Sequence, residues 1–170
     1  LLGALESDWA LHELRCDPHV LRGLQGALRS GEWTATVAVR EGRDLVAVWP
    51  GFRERVYGIA VDVGSTTLAA HLCDLTSGEA LASAGVMNPQ LRFGEDLMSR
   101  VSYAMLNPGG AEQLTSAVRE AIAALAERTA SEAGITADEV LEVVLVGNPV
   151  MHHLVLGIDP TPLGTAPFAL

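Results

Sequence analysis

Cysteine is scarce: Cys16 and Cys73 stand far apart in 170 residues, with no second cysteine near either. A CxxC metal or redox motif is therefore excluded, and both read as reduced thiols. Long apolar runs are missing as well. The most apolar stretches, VVLVG and YGIAVDVG, fall well short of the roughly 20 residues that a membrane-spanning helix needs, and the first residues lack the basic head of a signal peptide. We therefore expect a soluble, cytoplasmic protein with no membrane partner. Bases are few, 11 against 21 acids, for a formal net charge of −10. That balance argues against nucleic acid as a partner, because its phosphate backbone is held by basic surfaces. Any phosphate bound here must be held locally, by backbone amides and a metal ion. The GK[ST] of a Walker loop is absent, as are internal repeats and low-complexity tracts.

What is present suffices for a core: 49% of the residues are hydrophobic, and the length suits one domain or one and a half. The chain starts at Leu1 without methionine and stops at Leu170 directly after PTPLGTAPF, so it reads as cut from something longer. Leu1, Leu5, Trp9 and Leu11 recur at helical spacing up to Leu14, and Asp17-Pro18 ends that run. A second helix follows in VLRGLQGALRSG, with Gly31 as its C-cap. EWTATVAVREGRDLVAVWPG then alternates as a β-hairpin about Glu41-Gly42-Arg43-Asp44. Trp9, Trp33 and Trp49 are expected to pack this small unit.

Beyond Pro50-Gly51 the pattern changes. Strand-like runs over residues 58–63, 67–75 and 79–86 are joined by the tight turns Gly64-Ser65-Thr66 and Thr76-Ser77-Gly78. FGEDLMSRVSYAML predicts a helix with Leu97, Val101 and Leu106 among its apolar positions. An alanine-rich helix over 111–133 carries Leu114, Val118, Ile122 and Leu125 on one face, with Gly134 as its stop. The continuous apolar run 141–146 suits a strand buried on both faces, and VMHHLVLG predicts a short helix after it. The order is β-β-β-α-α-β-α.

The stretch DVGSTT breaks an apolar run that resumes at once. An acid at a strand end, a glycine able to take positive φ and then short hydroxyl residues make a turn whose amides can converge on a phosphate. Ser65, Thr66 and Thr67 add hydroxyl donors, and Asp62 is placed to hold Mg²⁺ directly or through its waters. A plain hairpin turn is the alternative, since Gly, Ser and Thr are common in turns.

Three segments carry a family resemblance: YGIAVDVGSTTLAAHLCDLTSGEALA (57–82), NPQLRFGEDLMSR (88–100) and VGNPVMHHLVLGIDPTPLGTAPF (146–168). With them the chain resembles the actin-like ATPase superfamily and, within it, is similar to the reductive activators of corrinoid proteins. VLRGLQGALRSGEWTATVAV with VWPG, within residues 20–50, also looks like the small domain that precedes the ATPase domain in those activators. The resemblance implies an α/β fold: a small α+β middle domain over 1–50, a linker over 51–56, and the N-terminal half of an actin-like, ribonuclease H-like ATPase domain with a mixed sheet over 57–170. It implies an intact protein that uses ATP with Mg, and a [2Fe-2S] domain, to return the Co(II) corrinoid of a methyltransferase corrinoid protein to Co(I). A homodimer is compatible with this. Here no cluster-binding cysteine set exists, and the second half of the ATPase domain is absent, so this piece alone is expected to hydrolyse ATP poorly or not at all. The rivals are a sugar or acyl kinase of the same superfamily and a non-catalytic docking or dimerisation module.

Other residues stand near the expected site. Glu95 and Asp96 open a helix, where capping and a phosphate-site role both fit; Arg100 lies beyond them with no assigned role. Asn88 and Gln90 face the cleft or serve as turn residues. Gly147 and Asn148 end the 141–146 strand where open α/β sheets bind ligands, so they join the candidate site beside a plain Gly-Asn-Pro turn. His152 and His153 diverge by about 100° on a helix, so one is read as packed and one as solvated.

Overall fold

The computed structural model describes residues 1–166; residues 167–170, including Phe168 of the third motif, lie outside the described residues. The chain divides into two compact units, Leu1–Glu54 and Arg55–Leu170.

In the first unit, α1 (Leu2–Trp9) is shorter than the apolar spacing predicts. Ala10 turns into the left-handed region at φ 53°, and its N–H returns to the Leu5 carbonyl. Leu11 and Leu14 instead pack from the loop against Leu5, Val20 and Leu45. α2 (Pro18–Ser30) starts as its sequence dictates, with Asp17 accepting from the His19 N–H at 2.7 Å and proline in the first turn. β2 (Ala35–Arg40) and β3 (Asp44–Pro50) form the expected hairpin, and β1 (Arg15–Cys16), too short to show a pattern, adds to β3 in parallel. The tryptophans do not fill this core. Trp9 and Trp33 are exposed, and Trp49 is half-buried with the Arg53 guanidinium 5.3 Å from its ring. Trp9 ends a helix whose buried side belongs to Leu5, and Trp33 sits at φ 69° in the turn after α2.

The second unit follows the expected order: β4 (Tyr57–Val63), β5 (Thr67–Asp74), β6 (Ala80–Met87), α3 (Leu97–Leu106), α4 (Gly110–Glu132), β7 (Val140–Gly147) and α5 (Pro149–Leu156). The sheet runs β6-β5-β4-β7 and is mixed: β4 pairs antiparallel with β5 and parallel with β7. Period-two alternation sends Ile59, Val61 and Val63 of β4, with Leu68 and Ala70 of β5, into one core shared with Val101, Leu114, Val118, Leu125, Met151 and Leu154. Asp62, Thr67 and His71 have the opposite parity and are exposed.

β7 corrects one expectation. Val143, Val144, Leu145 and Val146 form a strand, yet they are exposed rather than buried on both faces. The cause is position: among the described residues β7 is an edge strand paired only with β4, α4 lies over β5 and β6, and α5 is the helix beside β7. Among the described residues no helix is long and apolar enough to cross a membrane.

The β5–β6 turn carries a titration prediction. The buried Asp74 carboxylate accepts from the Thr76 hydroxyl at 2.5 Å and the Thr76 N–H at 2.8 Å, with Arg55 3.7 Å away. The Thr76 hydroxyl, more than any other group, holds its pKa below the ordinary 3.8. A carboxylate whose folded pKa is depressed stabilises the fold above its unfolded pKa, and that contribution is lost as pH falls through the folded value. Stability is therefore expected to drop below about pH 4, and Asp74→Asn to shallow that drop. Urea denaturation at stepped pH measures it; identical slopes in both proteins would remove Asp74 from the explanation.

Candidate functional site

Strand pairing brings the two sequence motifs together. In the β4–β7 register Asp62 stands opposite Val146 and Val63 opposite Gly147. Both strands are parallel, so DVGSTT and Gly147-Asn148 leave the sheet at the same end, the carboxyl end where α/β sheets bind ligands. All seven candidates, Asp62, Gly64, Ser65, Thr66, Thr67, Gly147 and Asn148, thus lie at one end of the sheet. Gly147 eases this approach: a Cβ there would stand in tight contact, 3.0 Å from the Val63 carbonyl oxygen and 3.4 Å from Met151 Cβ. The Asn148 side chain is committed to structure, accepting the Met151 N–H at 3.0 Å as N-cap of α5. A small apolar cleft beside it is lined by Val63, Val146, Gly147, Met151 and His152.

Gly64 is required for a different reason than expected. Its φ is not positive; instead, a Cβ would lie 2.5 Å from the Thr67 carbonyl oxygen. The turn closes too tightly for any side chain at that position.

Beneath the turn lies a buried polar network whose members were legible as polar residues, though not as a set. The Asn88 Nδ2 donates to the Gly64 carbonyl at 2.9 Å, and the Asn88 N–H donates to the Thr66 carbonyl at 2.8 Å. Arg100 is 0% exposed. Its Nη2 donates to the Ser65 carbonyl, its Nε to the Gly94 carbonyl at 3.0 Å, and its Nη1 to Gln90 Oε1 at 3.3 Å, with Met151 Sδ 3.5 Å away. Gln90 also donates from Nε2 to the Leu114 carbonyl at 2.9 Å. Of the two readings, the turn role holds for Asn88, whose Oδ1 accepts the Gln90 N–H at 2.9 Å at the start of the helical turn 89–92, while both side chains are buried and serve the network as well. The available signal was an arginine next to Val101, three positions after Leu97, where a helix turns its side toward the core.

The remaining candidates separate cleanly. Asp96 caps α3, exchanging bonds with Ser99 in a capping box, and those bonds hold its carboxyl below the usual range. Glu95 is exposed beside it. Burial pushes the Arg100 pKa down, opposed by the charge of Asp96. His152 is exposed, while His153 is half-buried with Nδ1 2.8 Å from the Pro149 carbonyl, which makes that nitrogen the donor.

The Asp62 side chain is exposed and makes no hydrogen bond or ion pair among the described residues. No cluster of three or more His, Cys, Asp or Glu able to hold a metal occurs among the described residues. Mg²⁺ needs none, because it is commonly held by one or two carboxylates, waters and substrate phosphates. One free carboxylate beside three hydroxyl residues fits that donor set. A [2Fe-2S] cluster does not fit: it takes four protein ligands, and the chain has two cysteines, one in each unit.

Residues 57–170 match a family model described as the RACo middle region, and residues 1–55 one described as the RACo linker region. The corrinoid activation enzyme RamQ of Eubacterium limosum is 36% identical over 113 residues, covering 66% of this chain and 19% of that enzyme. A solved reductive activator for a corrinoid, iron-sulfur protein superposes with a TM-score of 0.84 at 34% identity, over 99% of this chain and 27% of that one. The chain thus spans a minor part of the length of either relative.

Proposed function

Because the chain belongs to the RACo family, we propose that it is the linker and first nucleotide-binding portion of a cytoplasmic, ATP-dependent reductive activator of corrinoid proteins. The observation that carries the nucleotide site is the Val63–Gly147 register, which sets an acid-glycine-hydroxyl turn against the end of a neighbouring parallel strand. In this reading Ser65, Thr66 and Thr67 supply amide and hydroxyl donors to phosphate oxygens, and Gly147 leaves room for them. Asp62 holds Mg²⁺, directly or through its waters; the ion would offset the phosphate charge. The intact protein passes one electron from a reduced [2Fe-2S] cluster, carried outside this chain, to the Co(II) corrinoid of a methyltransferase corrinoid protein. Co(II) becomes Co(I), and ATP hydrolysis drives the unfavourable transfer.

Asp62→Asn keeps the side-chain shape and removes the charge. In the intact protein it is expected to weaken Mg-ATP binding about tenfold or more, by the scale of a lost charged contact, with the denaturation midpoint unchanged. Calorimetric titration measures this, and unaltered affinity would remove Asp62 from the site. The wider test is Mg-ATP binding and hydrolysis by the intact protein with and without a Co(II) corrinoid protein, together with its visible spectrum. A [2Fe-2S] spectrum with corrinoid-linked hydrolysis supports the activator. A colourless protein that binds no nucleotide would leave a docking module.

A further inference from the structure

The chain has no lysine, so every one of its 11 bases is an arginine, and the turn that meets phosphate in the proposed reading contains no base of its own. The base closest to it in bonding is Arg100, buried and without a carboxylate ion pair among the described residues. A buried guanidinium left unpaired is costly, and packing alone does not call for one at this helix position. Its bonds have a consequence for the turn. Three consecutive carbonyls, those of Gly64, Ser65 and Thr66, are drawn to the same side by Asn88 and Arg100. A trans peptide is planar and sets its N–H opposite its C=O, so the N–H groups of Ser65 and Thr66 must point away from the network, toward the open side of the turn.

We propose that Arg100, with Asn88, is a positioning residue of the phosphate site: it fixes the peptide planes of residues 64–66 and polarises the Ser65–Thr66 amide that meets the nucleotide's phosphates. Arg100 touches no ligand itself. Its positive charge reaches the site through one peptide, strengthening the outward N–H as bonds in a chain strengthen one another. This rests on the nucleotide-site reading above and adds to it the source of fixed positive charge.

The test uses the intact protein with Mg-ATP and, as a ligand without phosphates, adenosine. Arg100→Gln is expected to weaken Mg-ATP about tenfold or more, by the scale of a lost charged hydrogen bond, while adenosine affinity stays within about twofold. Arg100→Lys retains the charge but not the fork and is expected to recover part of the loss. It also serves as the working variant where Arg100→Gln fails to fold. Equal losses for Mg-ATP and adenosine would mean a general packing defect and overturn the proposal. Wild-type Mg-ATP affinity in either Arg100 variant, with Asp62→Asn impaired, would overturn the positioning role and leave the nucleotide site standing. No Mg-ATP binding by the wild-type protein would overturn the nucleotide-site reading, and this inference with it.

Discussion

Gly64→Ala in the intact protein is expected to abolish most Mg-ATP binding, on the order of a hundredfold, the scale reached when site geometry is displaced by about 1 Å. The added Cβ would stand 2.5 Å from the Thr67 carbonyl oxygen, a backbone atom that cannot swing aside as a long side chain does. Relief has to come from the turn itself, so the peptides of residues 64–66 must shift against Asn88 and Arg100. Gly78, in the neighbouring β5–β6 turn, supplies the control. It sits at φ 77° with nothing within 4 Å of the place an added methyl would occupy, so Gly78→Ala meets conformational strain of about 1–2 kcal/mol and no collision. Gly78→Ala should lower stability and leave affinity alone, whereas Gly64→Ala should lower affinity whatever its stability. Titration calorimetry beside urea denaturation separates the two. Wild-type affinity in Gly64→Ala would show that the turn's path is irrelevant to the ligand.

The difference between these glycines also shows what the sequence could and could not disclose. Sequence spacing marks Gly64 as special but points to a positive φ, because glycine in a turn is most often explained that way. The actual reason, a carbonyl from three residues later lying where a Cβ would go, is a contact, and contacts are not written in spacing. Strands β4, β5 and β6 were legible because alternation and turn residues are local signals. The approach of Gly147 to Val63 was readable only through the expectation that the 141–146 strand ends where open α/β sheets bind ligands. The exposed β7 escapes sequence reasoning for a related reason: an apolar run records that a strand is covered in some context, whereas the coverage here depends on which elements lie over it. Asn88, Gln90 and Arg100 show the same limit from the polar side. Each is visible as an out-of-pattern residue, yet the common target of Asn88 and Arg100, three successive carbonyls of one turn, and the Gln90 side chain that accepts from Arg100, come together only after the chain has folded.

Leucines offer the cleanest case in which identical sequence signals should have opposite consequences. Leu106 and Leu114 both occupy apolar helical positions, yet Leu106 is 80% exposed at the end of α3 and Leu114 is 0% exposed inside the core of the second unit. Leu114→Ala removes a buried side chain from among packed neighbours and is expected to cost about 2–5 kcal/mol. Leu106→Ala, in this chain, should stay within about 0.5 kcal/mol. Urea denaturation followed by far-ultraviolet circular dichroism reads both, since α4 at 23 residues is the longest helix described. Comparable effects from the two substitutions would contradict the assigned core. The Leu114 variant should also separate stability from site geometry. Gln90 is anchored to the Leu114 backbone carbonyl, which alanine retains, so the path from α4 through Gln90 to Arg100 and the turn survives the loss of the side chain. In the intact protein, at temperatures where Leu114→Ala remains folded, Mg-ATP affinity should equal that of the wild type. An affinity that falls in step with stability would show that the turn is held by the packing of the whole unit and not by its polar network.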